Sequence, residues 1–238
     1  MANRAYLGAW LRDFSEDTLL VYLERFLAAA PLTSGSAFTS LVIQAVDPSE
    51  PALAEWDLRG QGLVASDVAA LAREYVHSDT AYIAGARWDL WVLEPSAGLW
   101  ARSATPLTIL CQGLDYDSGA CTESGHFQVD LGFEHFFTGH AGVLGARPVE
   151  GAPRDGVGTD GTAPTAHPCY GPAEEAFRAW LVQGQNTCEY HEKTRENIQQ
   201  LFSWVRGLER ALPVERVHLW SEGEENFEAR LDEILARR

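Results

Sequence analysis

Apolar residues along this chain follow two rhythms, and the switches between them mark the elements. Leu19, Tyr22, Leu23, Phe26 and Leu27 recur at intervals of three and four, the spacing of one buried helix face. Ser15 precedes them as an N-cap, Glu16 and Asp17 sit where the helix dipole favours negative charge, and Pro31 ends the pattern. Strand-like segments flank this helix. Ala5 to Arg12 comes before it, and the aliphatic, β-branched run Phe38 to Val46 comes after, broken by Asp47-Pro48-Ser49-Glu50-Pro51. A second helix is predicted from a Ser66 cap, with Val68, Leu71, Ala72, Tyr75 and Val76 on its core face.

The middle of the chain alternates. Tyr82 to Leu93 places Trp88, Leu90 and Val92 on one face and Arg87, Asp89 and Trp91 on the other. Leu107 to Gln112 is a short apolar strand, and Phe127, Val129, Leu131 and Phe133 form the clearest period-two segment. Short Gly, Ser and Asp turns join these pieces, as in an antiparallel meander. Residues 145–172 are rich in Gly, Pro, Ala and Thr and too long for an ordinary connection, so they read as a mobile loop. A short helix is predicted over 173–182 and a long one from Asn186 to Leu212, with Thr194, Ile198, Leu201, Phe202, Val205 and Leu208 inward. Pro213 stops it, Val214 to Trp220 reads as a strand, and a last helix buries Phe227, Leu231, Ile234 and Leu235. The sum is a single α+β domain, a mostly antiparallel sheet flanked by helices. Its parts are a strand-rich stretch 1–144, the loop 145–172, and a helical stretch 173–238 with one returning strand.

Charge adds what the pattern cannot. Thirty-four Asp and Glu oppose eighteen Lys and Arg, a net charge of -16, and Lys193 is the only lysine. A field of that sign repels nucleic acid and anionic membranes and attracts basic partners. With 46% apolar residues and eight Trp, the chain is no disordered acidic tail. The preference for Arg over Lys, with abundant Ala and Gly, fits a GC-rich bacterial genome. No basic and apolar leader and no long apolar run is present, so the expectation is a cytoplasmic protein that neither enters a membrane nor binds nucleic acid. Its four cysteines are then reduced thiols.

Candidate chemistry is sparse. His167, Cys169, Cys188 and His191 are the ligand types of a tetrahedral zinc site, and Cys188 and His191 share a helix face. Their spacing fits no standard zinc motif, so neither metal nor cofactor is expected. His126, Asp130, Glu134, His135 and His140 are close enough in sequence for acid–base chemistry, but no hydrolase, P-loop or dinucleotide motif accompanies them. The better candidates for a site are partner-binding residues. Glu224, Glu225, Glu228 and Asp232 form an acidic stripe opposite the apolar face of the last helix, and Trp91, opposite Trp88 and Leu90, is a candidate exposed anchor.

Tyr6-Leu7-Gly8-Ala9-Trp10, then Arg12 and Ser15 ahead of an amphipathic helix, resembles the opening of bacterial polymorphic-toxin immunity proteins of the immunity protein 52 type. Asp47-Pro48, Leu53-Ala54-Glu55-Trp56 and Gly60 are similar to a later stretch of that family. The likeness covers about the first seventy residues. It departs in the added strand-like segment Phe38 to Val46 and in a single aromatic at Trp10. It implies a non-catalytic protein that binds one toxin and blocks it. The other readings are a metal-assisted hydrolase using the Cys and His groups, and a structural or adaptor subunit.

Overall fold

Seven strands hydrogen-bond into one antiparallel sheet in a computed structural model that describes residues 3–35, 37–94, 99–139 and 184–236. They are β1 (Arg4–Leu11), β2 (Phe38–Ala45), β3 (Ala54–Asp57), β4 (Thr80–Glu94), β5 (Leu99–Gln112), β6 (Phe127–Phe133) and β7 (Val214–Ser221), in the order β3-β2-β4-β5-β6-β1-β7. The described helices are α1 (Glu16–Ala29), α2 (Ala65–Leu71), the single turns α3 (Cys121–Ser124) and α4 (His135–Thr138), the long α5 (Gly184–Ala211) and α6 (Phe227–Ala236). The fold is α+β, as the pattern predicts.

The core lies on one face of the sheet. Ala5, Leu7, Ala9 and Leu11 of β1 point into it, and so does the predicted α1 stripe from Leu19 to Leu27. A chain of rings joins the layers. Phe26 of α1 stacks on Phe127 of β6 at 4.2 Å and meets Trp204 of α5 edge-on, and Trp204 in turn meets Trp88 of β4. Rings packed this way bury large apolar areas and add directional contacts between layers. On the opposite sheet face α3 lies over Gly8, where a Cβ would stand 2.6 Å from the Ser124 carbonyl oxygen. A side chain at that position would force the helix turn off the sheet.

Four details depart from the pattern. The cap of α2 is Val64, whose N–H donates to the Asp67 carboxylate at 3.0 Å, and the helix ends at Leu71, leaving Tyr75 and Val76 half-buried in the next turn. β5 begins at Leu99, because the polar run before Leu107 pairs with β4 as an arm reaching beyond the other strands. Leu131 is an extra residue in the β1–β6 ladder, and Gly132 takes a φ of +95°. This bulge re-aims the end of β6, so Phe133 turns outward while Phe127, Val129 and Leu131 stay in the core. Finally, the buried stripe of α5 is Tyr190, Thr194, Asn197, Leu201, Trp204 and Leu208, with Ile198 beside it, whereas Phe202 and Val205 are only half-buried. The predicted loop 145–172 and helix 173–182 lie outside the described residues.

Candidate functional site

Three connections meet at one end of the sheet because they leave or enter neighbouring antiparallel strands: the turn after β2, the turn before β4 and the turn after β5. Backbone bonds stitch them together. Val46 N–H donates to the Asp79 carbonyl, Asp117 N–H to the Val46 carbonyl, and Asp115 N–H to the Ser78 carbonyl. Between them they carry Asp47, Glu50, Asp79, Asp115 and Asp117. Asp47 accepts from the Ser49 N–H and hydroxyl, which holds its carboxyl below the usual range. Asp79 pairs with His77 at 2.7 Å. Glu50, Asp115 and Asp117 have no cationic partner among the described residues. Burial, followed by the charges of Asp117 and Asp47, raises the pKa of the Tyr116 phenol.

Apolar side chains are left in the open at the same end. Val46 is 54% exposed, Leu53 54% and Leu114 41%. Val46 also holds a φ of +70°, a left-handed conformation that a β-branched residue rarely takes. Exposed aliphatic groups with carboxylates around them have the anatomy of a protein interface, an apolar centre with a charged rim. Read along the chain, Asp47 to Pro51 is only a strand breaker. The usable signal is that acidic residues recur in connections that an antiparallel meander brings to one end.

The expected acidic stripe is not a single helix face. Glu224 and Glu225 precede α6, and the Glu224 carboxylate lies 3.8 Å from Arg230 Nε. Glu228 accepts the Leu219 N–H at 2.8 Å, occupying the outer edge of β7, the last strand of the sheet. Glu225 and Asp232 are exposed. Trp91 is not a free anchor either. Its ring is capped by Lys193 Nζ at 4.0 Å and approached by Arg102 at 5.3 Å, and its indole N–H donates to Glu196. Burial opposes ionisation of Glu196, but the Lys193 and Trp91 hydrogen bonds outweigh it and lower its pKa. Trp91 therefore joins the β4–β5 arm to α5.

The described acid–base residues are engaged with different partners, and the His135 ring stacks on that of Phe133 at 5.5 Å. Asp130 forms a salt bridge with Arg4 at 2.6 Å, Glu134 accepts the Gly223 N–H, and His126 Nδ1 accepts the Leu11 N–H while its ring stacks on Phe14 at 4.2 Å. His140 lies outside the described residues, as do His167 and Cys169. Cys188 is an exposed free thiol on α5, one turn from His191. Among the described residues, no group of three or more His, Cys, Asp or Glu side chains is placed to hold a metal ion. Nor is any described helix long and apolar enough to cross a membrane. Comparison with protein-family models, with curated proteins and with solved structures found no match.

Proposed function

We propose that this protein is a non-enzymatic binding protein of the immunity or inhibitor type, which neutralises a basic toxin by docking it on an acidic surface. The observation that carries this reading is the loop end of the sheet, where exposed Val46, Leu53 and Leu114 stand among Glu50, Asp115 and Asp117. The net charge of -16 supports it, because a field of one sign speeds encounter with a partner of the other. The likeness of the first seventy residues to immunity proteins points the same way. The apolar centre would supply the buried contact and the carboxylates the orientation and the association rate.

The test pairs the chain with the product of the gene beside its own. That protein should be toxic when expressed alone and harmless with this chain present, and the two should associate at a rate that falls with salt. Reversing Glu50, Asp115 and Asp117 to Lys should slow association about tenfold at low salt and less at high salt. Unchanged toxicity with both proteins present, or a rate indifferent to charge and salt, overturns the reading.

A further inference from the structure

The sheet face away from the core carries an open groove of about 330 Å³ where β3, β2 and β4 run side by side. A bulge builds its floor. Thr39 is an extra residue in the β2–β4 ladder, between Phe38 opposite Ala86 and Ser40 opposite Gly85. Phe38 and Leu41 stay in the core, so Thr39 and Ser40, neighbours in the chain, both turn to the other face. Regular alternation would send only one of them there. Their hydroxyls converge over Gly85, where an added Cβ would stand 2.7 Å from Thr39 Oγ1 and closer still to Ser40 Oγ. Charged groups stand round this floor. Arg59 donates to the Asp57 carboxylate from Nε at 2.9 Å and from a terminal nitrogen at 2.6 Å, and these bonds hold the Asp57 pKa down at about 2. Glu55 and Arg87 line the same groove, and neither has an oppositely charged partner among the described residues. Trp56 and Pro106 add an apolar part to the wall.

We infer that this groove binds one ring of a neutral saccharide, with the sugar hydroxyls on Thr39, Ser40, Arg87 and the two carboxylates and its C–H side toward Trp56. A guanidinium only donates, a carboxylate only accepts, and a hydroxyl does both. The groove offers all three kinds in one wall, and a sugar, each of whose hydroxyls donates and accepts, can use them all. Charge fits a neutral guest. The carboxylates of Glu55 and Asp57 and the guanidinium groups of Arg59 and Arg87 cancel locally, in a chain whose net charge is -16. An ion of either sign finds no surplus of the opposite charge there, whereas an uncharged ring is indifferent to the field of the whole chain. Size fits as well, since small-molecule sites begin at about 300 Å³ and combine apolar surface with a few placed polar groups. The groove shares no residue with the acidic loop end, so its test and that of the docking surface fail separately.

The probes are the methyl glycosides of glucose, galactose and mannose, with cyclohexanol, glycine and inorganic phosphate as the apolar, zwitterionic and anionic comparisons. Titration of the whole chain, followed by the backbone amide resonances of Thr39, Ser40 and Gly85, should show saturable shifts with at least one glycoside at about millimolar concentration and none with cyclohexanol. Ser40→Ala and Arg87→Gln, neither of them in the core, should weaken that glycoside about three- to tenfold and leave the urea unfolding midpoint unchanged. Gly85→Ala, which sets a methyl group among the hydroxyls, should abolish binding, and the two other variants carry the test should this one fold poorly. No saturable shift with any glycoside overturns the site. Saturation by glycine or phosphate at a lower concentration than by the glycosides overturns the ligand class, and an affinity that neither Ser40→Ala nor Arg87→Gln changes overturns the placement of the sugar.

Discussion

An amide in the middle of a helix holds the free edge of a strand. Beyond Ala86, β4 has lost its partner β2, and at Trp91 the Asn197 side chain takes that place. Its oxygen accepts the Trp91 N–H at 2.8 Å, and its nitrogen donates to the carbonyls of Trp91 and Phe136, each at 3.0 Å. Asn197 is 1% exposed, so these three backbone groups have little recourse to water. Asn197→Leu should therefore destabilise the fold by about 3 kcal/mol, read by urea unfolding, while the exposed neighbour change Gln199→Ala should stay within about 0.5 kcal/mol. The sequence does not reveal this residue, and the reason is chemical. Apolar spacing on α5 picks out Thr194, Ile198, Leu201 and Leu208 but adds Phe202 and Val205. The stripe that is fully buried, at 190, 194, 197, 201, 204 and 208, is regular in spacing but mixed in chemistry, with Thr and Asn inside it. Spacing is the sound signal there, and polarity misleads.

Polar contacts at ends and edges hold several elements, and two of them give sharp tests. His126 joins the start of β6 to the end of β1, and it does so as a neutral ring, because Nδ1 must be free to accept the Leu11 N–H. Burial lowers its pKa, and the charge of Glu215 only partly offsets this. A histidine depressed in the folded state contributes stability that is present above its unfolded pKa and lost as pH falls through the folded value. Stability should thus decline from about pH 6.5 downward, and His126→Asn, whose amide oxygen accepts without titrating, should flatten that decline in unfolding measurements between about pH 7.5 and 5. Glu228 guards the edge of β7 in a comparable way. Sheet edges are open templates for unwanted pairing, and a carboxylate on an edge N–H both satisfies and charges it. Glu228→Ala should cost about 1–2 kcal/mol of stability, whereas Glu225→Lys and Asp232→Lys should leave stability within about 0.5 kcal/mol. That contrast separates the acidic residue the fold uses from those it leaves to solvent.

At the scale of the whole molecule the sequence is legible where period and chemistry agree, as in β1, α1, β2, β6 and the returning β7. It is silent on the candidate interface, because Asp47, Asp79 and Asp115 are far apart in the chain and meet only once the strand order is known. The charge reversal of Glu50, Asp115 and Asp117 belongs here too, since these residues are on turns. The triple variant should unfold within about 1 kcal/mol of the parent even as its encounter with the proposed basic partner slows, a comparison read from paired denaturation and stopped-flow measurements. The strand order carries one more consequence. β1 sits between β6 and β7, and Tyr6 bonds Glu222 from 216 positions away. The ribosome therefore makes one side of that seam long before the other. Throughout that interval β1 waits with one flank bare, so the sheet closes late in synthesis, and by a slow route, as long-range pairings dictate. A chain halted before Val214 would keep that flank exposed for good and should go to aggregates or to proteolysis. The cell would then hold either complete sheets or none, with no half-closed form left in circulation.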